Sequence, residues 1–381
     1  MKEEGRFIVS SIIEEVGEEN VSYSDNSLYN ITSFGTDITF REIISMYEEG
    51  DIVKPEMQRN YVWTKKEASR FIDSILLGLP VPSIFLGKAP DAKLLIVDGY
   101  QRITTVCDYI KGVFSGDNSV FKLTKADNIH PNWRGKAYIE LTDAQKRMIR
   151  LYTIHAIVFE QKQPQNDTGM YQVFERINTG GRTLKPQEIR NCVYHGDYNN
   201  MLSALNRNSD WRAILGTEEP DSRMADIELV LRFFAFNAFK DNNTHMKQIN
   251  LVKYLNEYMA SQNKLNHQRQ NDEKLFVDIM RFLNRNLGIR SFRTCKMNKT
   301  GQIVWSKKVN PVVMDAVTTA TSIAAERFGL DNVDTNSFSG QYMRLLLDES
   351  FISVTKTRTT NVENIRARIH IAADYLFGIK L

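Results

Sequence analysis

LLIVDGYQRITT, residues 94–105, decides the fold of the N-terminal half of the chain. The run 94–97 is apolar and of strand length, Asp98-Gly99 is a tight turn, and apolar residues from Ile103 onward recur at helical spacing. A buried strand that turns directly into a helix is a building unit of α/β domains. The stretch therefore predicts an α/β domain in which a strand end and a helix start meet at one turn.

The first helical turn after Gly99 carries polar side chains that suit an anion. Gln101, Arg102 and Thr104 lie there, close to backbone N–H groups and to the positive end of the helix dipole. Arg102 offers a bidentate fork for a phosphate, Gln101 is placed to orient a water, and Asp98 to hold a metal ion or orient Arg102. The alternative is that Asp98 only caps the helix and Arg102 is an ordinary surface residue. By itself the stretch leaves both interpretations open.

Two other segments add side chains of the same chemistry. Gln58 and Arg59 precede Tyr61 and Trp63, and an arginine beside aromatic rings suits a phosphate with a stacked base. Packing against the next helix is the alternative for both rings, and for Trp63 it is the better interpretation. Asn178 precedes paired glycines at a predicted helix end, where the backbone can approach a ligand closely. Taken alone, that segment is a helix C-cap.

Apolar periodicity divides the chain into two parts. Strand-length apolar runs occur at 83–86, 94–97 and 152–159, and a helix with the capping box Thr64–Glu67 precedes the first of them. After Pro186 helical patterns dominate, at 186–194, 198–206, 225–240, 247–260, 272–287, 311–328, 338–347 and 362–377. We therefore predict the α+β class, with an acidic N-terminal arm at 1–35, an α/β domain at 36–190 and a mainly helical domain at 191–381.

Composition and charge narrow the function classes. A chain of 381 residues with 42% hydrophobic residues can bury more than one core, which excludes disordered and collagen-like proteins. The net charge of +3 hides an asymmetry, because the first 50 residues hold eleven acidic and three basic residues. The remaining 331 residues therefore carry +11. A basic body of this kind suits a polyanion as partner.

The basic surplus is concentrated at 281–308, which has eight basic residues and no acidic one. NKTG at 298–301 predicts the turn of a hairpin near 290–308, with strands at 292–297 and 302–306. A charged ribbon with aromatic residues suits a nucleic-acid backbone, and the candidate contacts are Arg290, Arg293, Lys296, Lys299, Lys307 and Lys308. A solvated loop that balances the acidic N-terminus is the alternative, and both remain open.

Other features exclude several kinds of protein. The three cysteines are far apart and form no CxxC pair, so neither a zinc ribbon nor a disulfide framework is indicated. The N-terminus lacks the apolar core of a signal peptide, and the apolar segment 229–239 is too short to span a bilayer. We expect a cytoplasmic protein without a membrane partner.

Taken together, these segments resemble the DGQQR-motif family, that is, the N-terminal domain of GmrSD-type modification-dependent restriction enzymes. The resemblance rests on QRNYVW at 58–63, SRFIDSILLGLPVPSIFL at 69–86, IVDGYQR at 96–102 and FERINTGGRTLKPQEIRN at 174–191. It covers about residues 35–240. It implies a ParB/sulfiredoxin-like fold for the α/β domain and a role in restriction or phage defence.

The resemblance also implies a site for a nucleoside triphosphate, with Mg²⁺ as its accompanying ion. The family motif maps onto Asp98, Gly99, Gln101 and Arg102, and Tyr100 replaces the first glutamine of the motif. Because a phenol cannot donate and accept as an amide does, hydrolysis is in doubt at this position. The predicted catalytic residues are Asp98, Gln101 and Arg102, and the predicted nucleotide contacts are Gln58, Arg59, Tyr61, Gly99, Tyr100, Thr104 and Asn178.

Three functional hypotheses follow. The leading one is a nucleotide-binding component of a defence system that engages DNA and hydrolyses the nucleotide. The alternative is a non-catalytic DNA-binding or adaptor protein that recruits a separate nuclease subunit. Since no histidine lies in an HNH context, metal-dependent cleavage by that motif is not supported. DNA cleavage by the ParB-like domain itself ranks lowest.

Overall fold

A computed structural model describes residues 12–17, 30–53, 61, 63–89, 92–163, 168–177, 184–194, 196–240, 246–265 and 269–381. The chain forms two compact units. The first comprises Asn26–His195, and the second joins Met1–Asp25 to Gly196–Leu381. The first unit mixes strands and helices, and the second is mostly helical. The predicted α+β class is therefore confirmed.

The α/β unit is built on a five-stranded sheet with the order β1-β7-β3-β4-β2. Its strands are β1 (Asn30–Thr39), β2 (Ile52–Val53), β3 (Ile84–Lys88), β4 (Leu94–Asp98) and β7 (Thr153–Gln163). Strand β7 pairs antiparallel with β1 and parallel with β3, while β4 pairs antiparallel with β3 and parallel with β2. A short hairpin, β5 (Val113–Phe114) and β6 (Ser119–Val120), lies outside this sheet.

The described part of this unit contains six α-helices. They are α1 (Phe40–Glu49), α2 (Lys65–Leu76), α3 (Tyr100–Lys111), α4 (Asp143–Leu151), α5 (Thr168–Ile177) and α6 (Pro186–Val193). The predicted capping box is present, because the Thr64 hydroxyl accepts from the Glu67 N–H and Glu67 accepts from the Thr64 N–H. Helix and strand side chains, among them Ile72, Ile84 and Ile103, meet in one core from which solvent is excluded.

The domain limits differ from the prediction at both ends of the α/β unit. Residues 30–35, assigned to an N-terminal arm, belong to β1, and their pairing with β7 makes them part of the sheet. The unit ends at His195 rather than at residue 190, and α6 runs on to Val193. Farther upstream, Ile13 forms a parallel bridge with Val309 and so belongs to the helical unit.

The helical unit is organised around α12 (Pro311–Phe328), whose residues 311–324 are all buried. The other helices are α7 (Asp197–Leu205), α8 (Ser209–Leu215), α9 (Ala225–Phe239), α10 (Leu251–Lys264), α11 (Arg269–Leu287), α13 (Phe338–Leu347), α14 (Glu349–Lys356) and α15 (Val362–Phe377). Asn310 caps α12 by accepting from the N–H groups of Val312 and Val313. A helix that is apolar on nearly every side is stable only inside a bundle, which explains its central place.

The predicted hairpin is present in the helical unit. Strands β8 (Cys295–Met297) and β9 (Ile303–Trp305) pair antiparallel, and the turn between them is held by the Asn298 side chain. Among the described residues, no helix is long and apolar enough to cross a membrane.

Candidate functional site

The turn between β4 and α3, residues Asp98–Arg102, has a backbone that requires glycine. Gly99 has a φ of 103°, a value that L side chains rarely adopt. A Cβ at this position would lie 2.9 Å from Ile84 Cβ and still closer to Ile84 Cγ2. The turn is therefore pressed against β3, and the helix starts with a glycine that supplies no side-chain cap. This places the first N–H groups of α3 directly at the end of the sheet.

Arg102 is held in a fixed orientation at this turn. Its Nη2 donates to Asp98 Oδ2 at 3.0 Å, and its Nη1 donates to the Ser83 carbonyl at 2.8 Å. The Arg102 side chain is 15% exposed and that of Asp98 is 38% exposed. A guanidinium has more N–H donors than these two bonds use. The pair therefore presents an oriented, partly accessible cation beside a carboxylate, an arrangement suited to a phosphate.

Gln101 connects the turn to the QRNYVW segment. Its Oε1 accepts from the Trp63 backbone N–H at 3.3 Å, and its carbonyl accepts from the Thr105 hydroxyl at 2.6 Å. The side-chain oxygen expected to orient a water thus fixes the chain that follows Gln58 and Arg59. Because this bond holds residue 63 at the start of α3, it also brings the end of that segment to the predicted site.

Two predicted contacts are turned toward the interior of the unit. The Tyr61 hydroxyl hydrogen-bonds to Thr105 Oγ1 at 2.6 Å, and its ring meets Phe114 edge to face at 5.2 Å between centroids. Burial raises the pKa of Tyr61 well above its usual value. Thr104 is also buried, and its hydroxyl has no hydrogen-bond partner among the described residues. These placements argue against base stacking by Tyr61 and against nucleotide contact by Thr104, because both side chains pack inside the unit.

The remaining predicted contacts have different outcomes. Tyr100 is half-buried and packs against the core of the unit, so its ring lies at the surface of the turn only in part. Gln58, Arg59 and Asn178 lie outside the described residues. The structure therefore brings together Asp98, Gly99, Tyr100, Gln101 and Arg102. Within the described ranges, no group of three His, Cys, Asp or Glu side chains could hold a metal ion.

Comparison with known proteins agrees with this geometry. The family model of the GmrSD restriction endonuclease, N-terminal domain, matches residues 40–195, a span that includes the whole β4–α3 turn. This segment is similar to the N-terminal domain of GmrSD restriction endonucleases. No curated protein matches the chain. The matched limits lie close to those of the α/β unit, whose sheet adds β1 before the matched segment.

The basic hairpin, residues 290–308, forms a second candidate surface outside the segment 40–195 that matches the family model. Arg290, Lys296, Lys299, Lys307 and Lys308 are all exposed. The Arg290 guanidinium lies over Trp305, 5.4 Å from the ring centroid, and Trp305 stacks on Tyr342. The hairpin therefore combines exposed lysine charges with an arginine held against an aromatic ring.

Arg293 is an exception, and its assignment to the nucleic-acid surface is wrong. It is 5% exposed, and its Nη atoms donate to the carbonyls of Ile214 at 2.8 Å and Leu215 at 3.0 Å. Further bonds reach the carbonyls of Ile289 and Lys307. The guanidinium thus ties the hairpin to the end of α8. Burial lowers the pKa of Arg293.

Sequence reasoning missed three groups that shape these surfaces. The Ser83 carbonyl orients Arg102, and the Thr105 hydroxyl anchors both Tyr61 and Gln101. Glu14, from the acidic N-terminus, reaches Asn310 beside the basic hairpin. A main-chain carbonyl leaves no trace in residue identity, and no local pattern joins residues 14 and 310. Only the spacing of Thr105 from Gln101 carried a signal, since threonine often bonds the carbonyl four residues earlier in a helix.

Proposed function

We propose that the chain is a nucleotide-binding component of a restriction or phage-defence system, with its nucleotide site at the β4–α3 turn. The observation that carries the proposal is the Arg102–Asp98 pair at the start of α3, fixed by the Ser83 carbonyl. An oriented guanidinium next to a helix N-terminus favours a phosphate strongly. The similarity of the segment that contains this turn to the GmrSD N-terminal domain supports the defence role.

The residues at the turn have different roles in binding a triphosphate. Arg102 neutralises phosphate charge, and Ser83 and Asp98 keep its guanidinium from rotating away. Gly99 allows the backbone to come close to the ligand because it has no Cβ. Since phosphoryl transfer depends on positioning and charge stabilisation, the site needs no nucleophilic side chain.

Magnesium fits this donor set only as an ion that arrives with the nucleotide. Asp98 offers one carboxylate, 38% exposed, and Mg²⁺ is commonly held by one or two carboxylates together with substrate phosphates. When bound, the ion would neutralise charge on the phosphate oxygens. Asp98 would then share its carboxylate between Arg102 and the ion.

Nucleotide binding is tested by Arg102→Ala in the full chain, with a panel of nucleoside triphosphates in a calorimeter. We expect binding to weaken by about 100-fold, since charge-assisted hydrogen bonds of this kind contribute roughly 1.5–3 kcal/mol each. Arg150→Ala removes an exposed arginine at the end of α4 and serves as the control. Unchanged affinity of Arg102→Ala for every nucleotide that the wild type binds would refute the site.

The residue at position 100 distinguishes a chain that hydrolyses the nucleotide from one that only binds it or acts as an adaptor. A phenol donates and accepts through one oxygen and cannot replace an amide, whose donor and acceptor are separate atoms, which favours a chain that binds nucleotide and recruits a separate nuclease. Tyr100→Gln should raise multiple-turnover phosphate release above that of the wild type, with and without DNA. If the wild type already turns over at the rate of Tyr100→Gln, the adaptor role loses its support.

DNA engagement is assigned to the basic hairpin. Its exposed cations, Arg290, Lys296, Lys299, Lys307 and Lys308, provide the charge that a phosphate backbone requires. Binding through such contacts weakens steeply as salt concentration rises. Affinity for a duplex and for a single strand, measured over a range of salt concentrations, tests this assignment, and an affinity independent of salt would contradict it.

A further inference from the structure

A cleft opens beneath the basic hairpin in the helical unit. Its volume is about 500 Å³, within the usual range of small-molecule sites. The buried side chains of Val313, Leu346 and Phe351 form an apolar floor. Strands β8 and β9 form one side, and α14 contributes Ile352 and residues 355–356. A flat or aliphatic group of the size of a nucleobase fits a cleft of this volume and lining.

One oriented carboxylate faces this cleft, and it comes from the N-terminus of the chain. The Glu14 N–H donates to the Val309 carbonyl at 2.8 Å, and the Val309 N–H donates to the Ile12 carbonyl at 2.9 Å. The Asn310 amide then donates to Glu14 Oε2 at 2.9 Å. An ionised carboxylate only accepts hydrogen bonds. Glu14 therefore selects for a ligand group that donates.

The rim of the cleft carries positive charge. Lys296 and Lys356 are exposed and line the opening, and Lys296 belongs to the hairpin strand β8. Cys295, also in the lining, is half-buried, and burial raises the pKa of its thiol, which stays neutral near pH 7. The cleft thus combines cations outside, apolar surface inside and, among its lining residues, one carboxylate at its side. A nucleotide has the matching pattern of phosphate, ring and N–H donor.

We propose that the cleft binds a single unstacked nucleobase of a DNA strand that lies along the basic hairpin, with preference for a base that carries an exocyclic amino group. The proposal rests on the DNA engagement assigned above to that hairpin. The amino group of cytosine donates to Glu14, whereas thymine presents at the same place a carbonyl oxygen, which cannot donate to the carboxylate. A base can enter such a cleft only from a single strand or after extrusion from a duplex.

The test compares three fluorescent strands of equal length on the full chain at neutral pH: oligo-dC, oligo-dT and an abasic strand. All three carry the same phosphates, so differences in anisotropy-derived affinity report the base alone. We expect oligo-dC to bind about ten-fold more tightly than oligo-dT, the discrimination expected of a hydrogen bond to a charged group. The abasic strand should bind no more tightly than oligo-dT.

Glu14→Gln is the decisive variant because its carbonyl oxygen still accepts from Asn310 while its NH₂ group donates. The preference for oligo-dC should vanish or reverse toward oligo-dT. Ile352→Trp fills the cleft and should reduce the affinities of oligo-dC and oligo-dT to that of the abasic strand. Lys307→Ala should weaken the binding of all three strands equally.

Three results would overturn the proposal, and they can be distinguished from one another. Equal affinity of the wild type for all three strands would exclude base recognition in the cleft while leaving phosphate binding by the hairpin intact. Absence of binding by every strand would instead refute the DNA engagement itself, and the cleft proposal with it. A preference that survives Glu14→Gln unchanged would also exclude Glu14 as the reading group.

Discussion

Both units of the chain pair arginine with aspartate, and the two arrangements differ in their access to solvent. At the β4–α3 turn, Arg102 is 15% exposed and Asp98 is 38% exposed. In the helical unit, Arg232 and Arg368 both bind Asp315, and these side chains are at most 1% exposed. The enclosed cluster has no surface for a ligand. An arginine–aspartate pair therefore indicates a site only where part of the guanidinium remains accessible.

Removal of the Asp315 carboxylate is the strongest test of the difference between the enclosed and the accessible arginine–aspartate arrangements. Asp315→Ala removes a carboxylate that two buried guanidinium groups share, and we expect a loss of about 3–5 kcal/mol in the free energy of unfolding. Urea denaturation of the purified chain measures it. Asp278→Ala is the control, because Asp278 and Arg281 form an exposed pair at 3.2 Å whose loss should cost less than about 0.5 kcal/mol. Equal stability of the two variants would show that the enclosed cluster is not structural.

Two basic residues of the same hairpin, Arg293 and Lys307, allow a buried structural cation to be compared with an exposed one. Arg293→Ala deprives several buried carbonyls of their donor and should lower the free energy of unfolding by about 2–4 kcal/mol. Lys307→Ala should leave stability within about 0.5 kcal/mol and reduce the salt dependence of DNA binding by about one phosphate contact. Thermal unfolding and salt-titrated DNA binding are measured on both. Loss of DNA affinity in Arg293→Ala without loss of stability would contradict the structural role.

Substitution of two glycines distinguishes the cost of a positive φ from the cost of a collision with β3. Gly99→Ala combines a positive φ with a collision against Ile84, and we expect about 2–3 kcal/mol of destabilisation. Gly50 has a φ of 82° with no atom near its missing Cβ, so Gly50→Ala should cost only about 1 kcal/mol. Chemical denaturation measures both. If the two variants are equally stable, the turn is not pressed against β3.

The smallest expected effect concerns a half-buried carboxylate of the helical unit, Asp348, and depends on pH. Asp348 caps α14, and its bond from the Phe351 N–H, followed by its hydrogen bonds with Tyr375 and Ser350, lowers its pKa. Because the folded-state pKa lies below the unfolded value, this stabilisation is present at neutral pH and is lost as the pH falls through the folded-state pKa. Asp348→Ala should cost about 1 kcal/mol near pH 7 and less in acid.

Asp348→Asn is the matched control for this prediction. An asparagine keeps an oxygen for the Phe351 N–H but does not titrate. The difference in stability between Asp348→Asn and Asp348→Ala should therefore be independent of pH. The difference between the wild type and Asp348→Ala should shrink in acid. A constant difference between wild type and Asp348→Ala from neutral to acidic pH would contradict the assignment.

The central strands were predictable because they are apolar runs. The predicted 83–86, 94–97 and 152–159 correspond to β3, β4 and β7; β3 and β7 begin one residue later than predicted, and the three strands end one to four residues later. Strand β1 was missed because NITSFGTDIT is largely polar and exposed, and it is a strand only through its pairing with β7. Helix α4 was missed although Thr142 and Gln145 form a capping box, a signal that local reasoning could have used.

In the candidate sites, too, local patterns predicted some features, whereas others depend on the packing of distant elements. The DGYQR motif and the hairpin turn at 298–301 are local patterns, and the structure forms a turn at each. Arg293 could not be distinguished from its neighbours Arg290 and Lys296, because burial depends on α8, which is far away in the sequence. Tyr61 and Thr104 were assigned to the ligand for the same reason, since only the packed unit shows which way each side chain points.

The amino-acid sequence by itself determined the strand–turn–helix unit, the division into an α/β part and a helical part, and the concentration of positive charge near 281–308. Those features depend on the spacing of apolar, glycine and charged residues over a few turns of chain. The tertiary structure alone decided which cations are accessible and brought Glu14 beside Asn310. Burial and contact over hundreds of residues arise from the packing of distant elements, which no local pattern specifies.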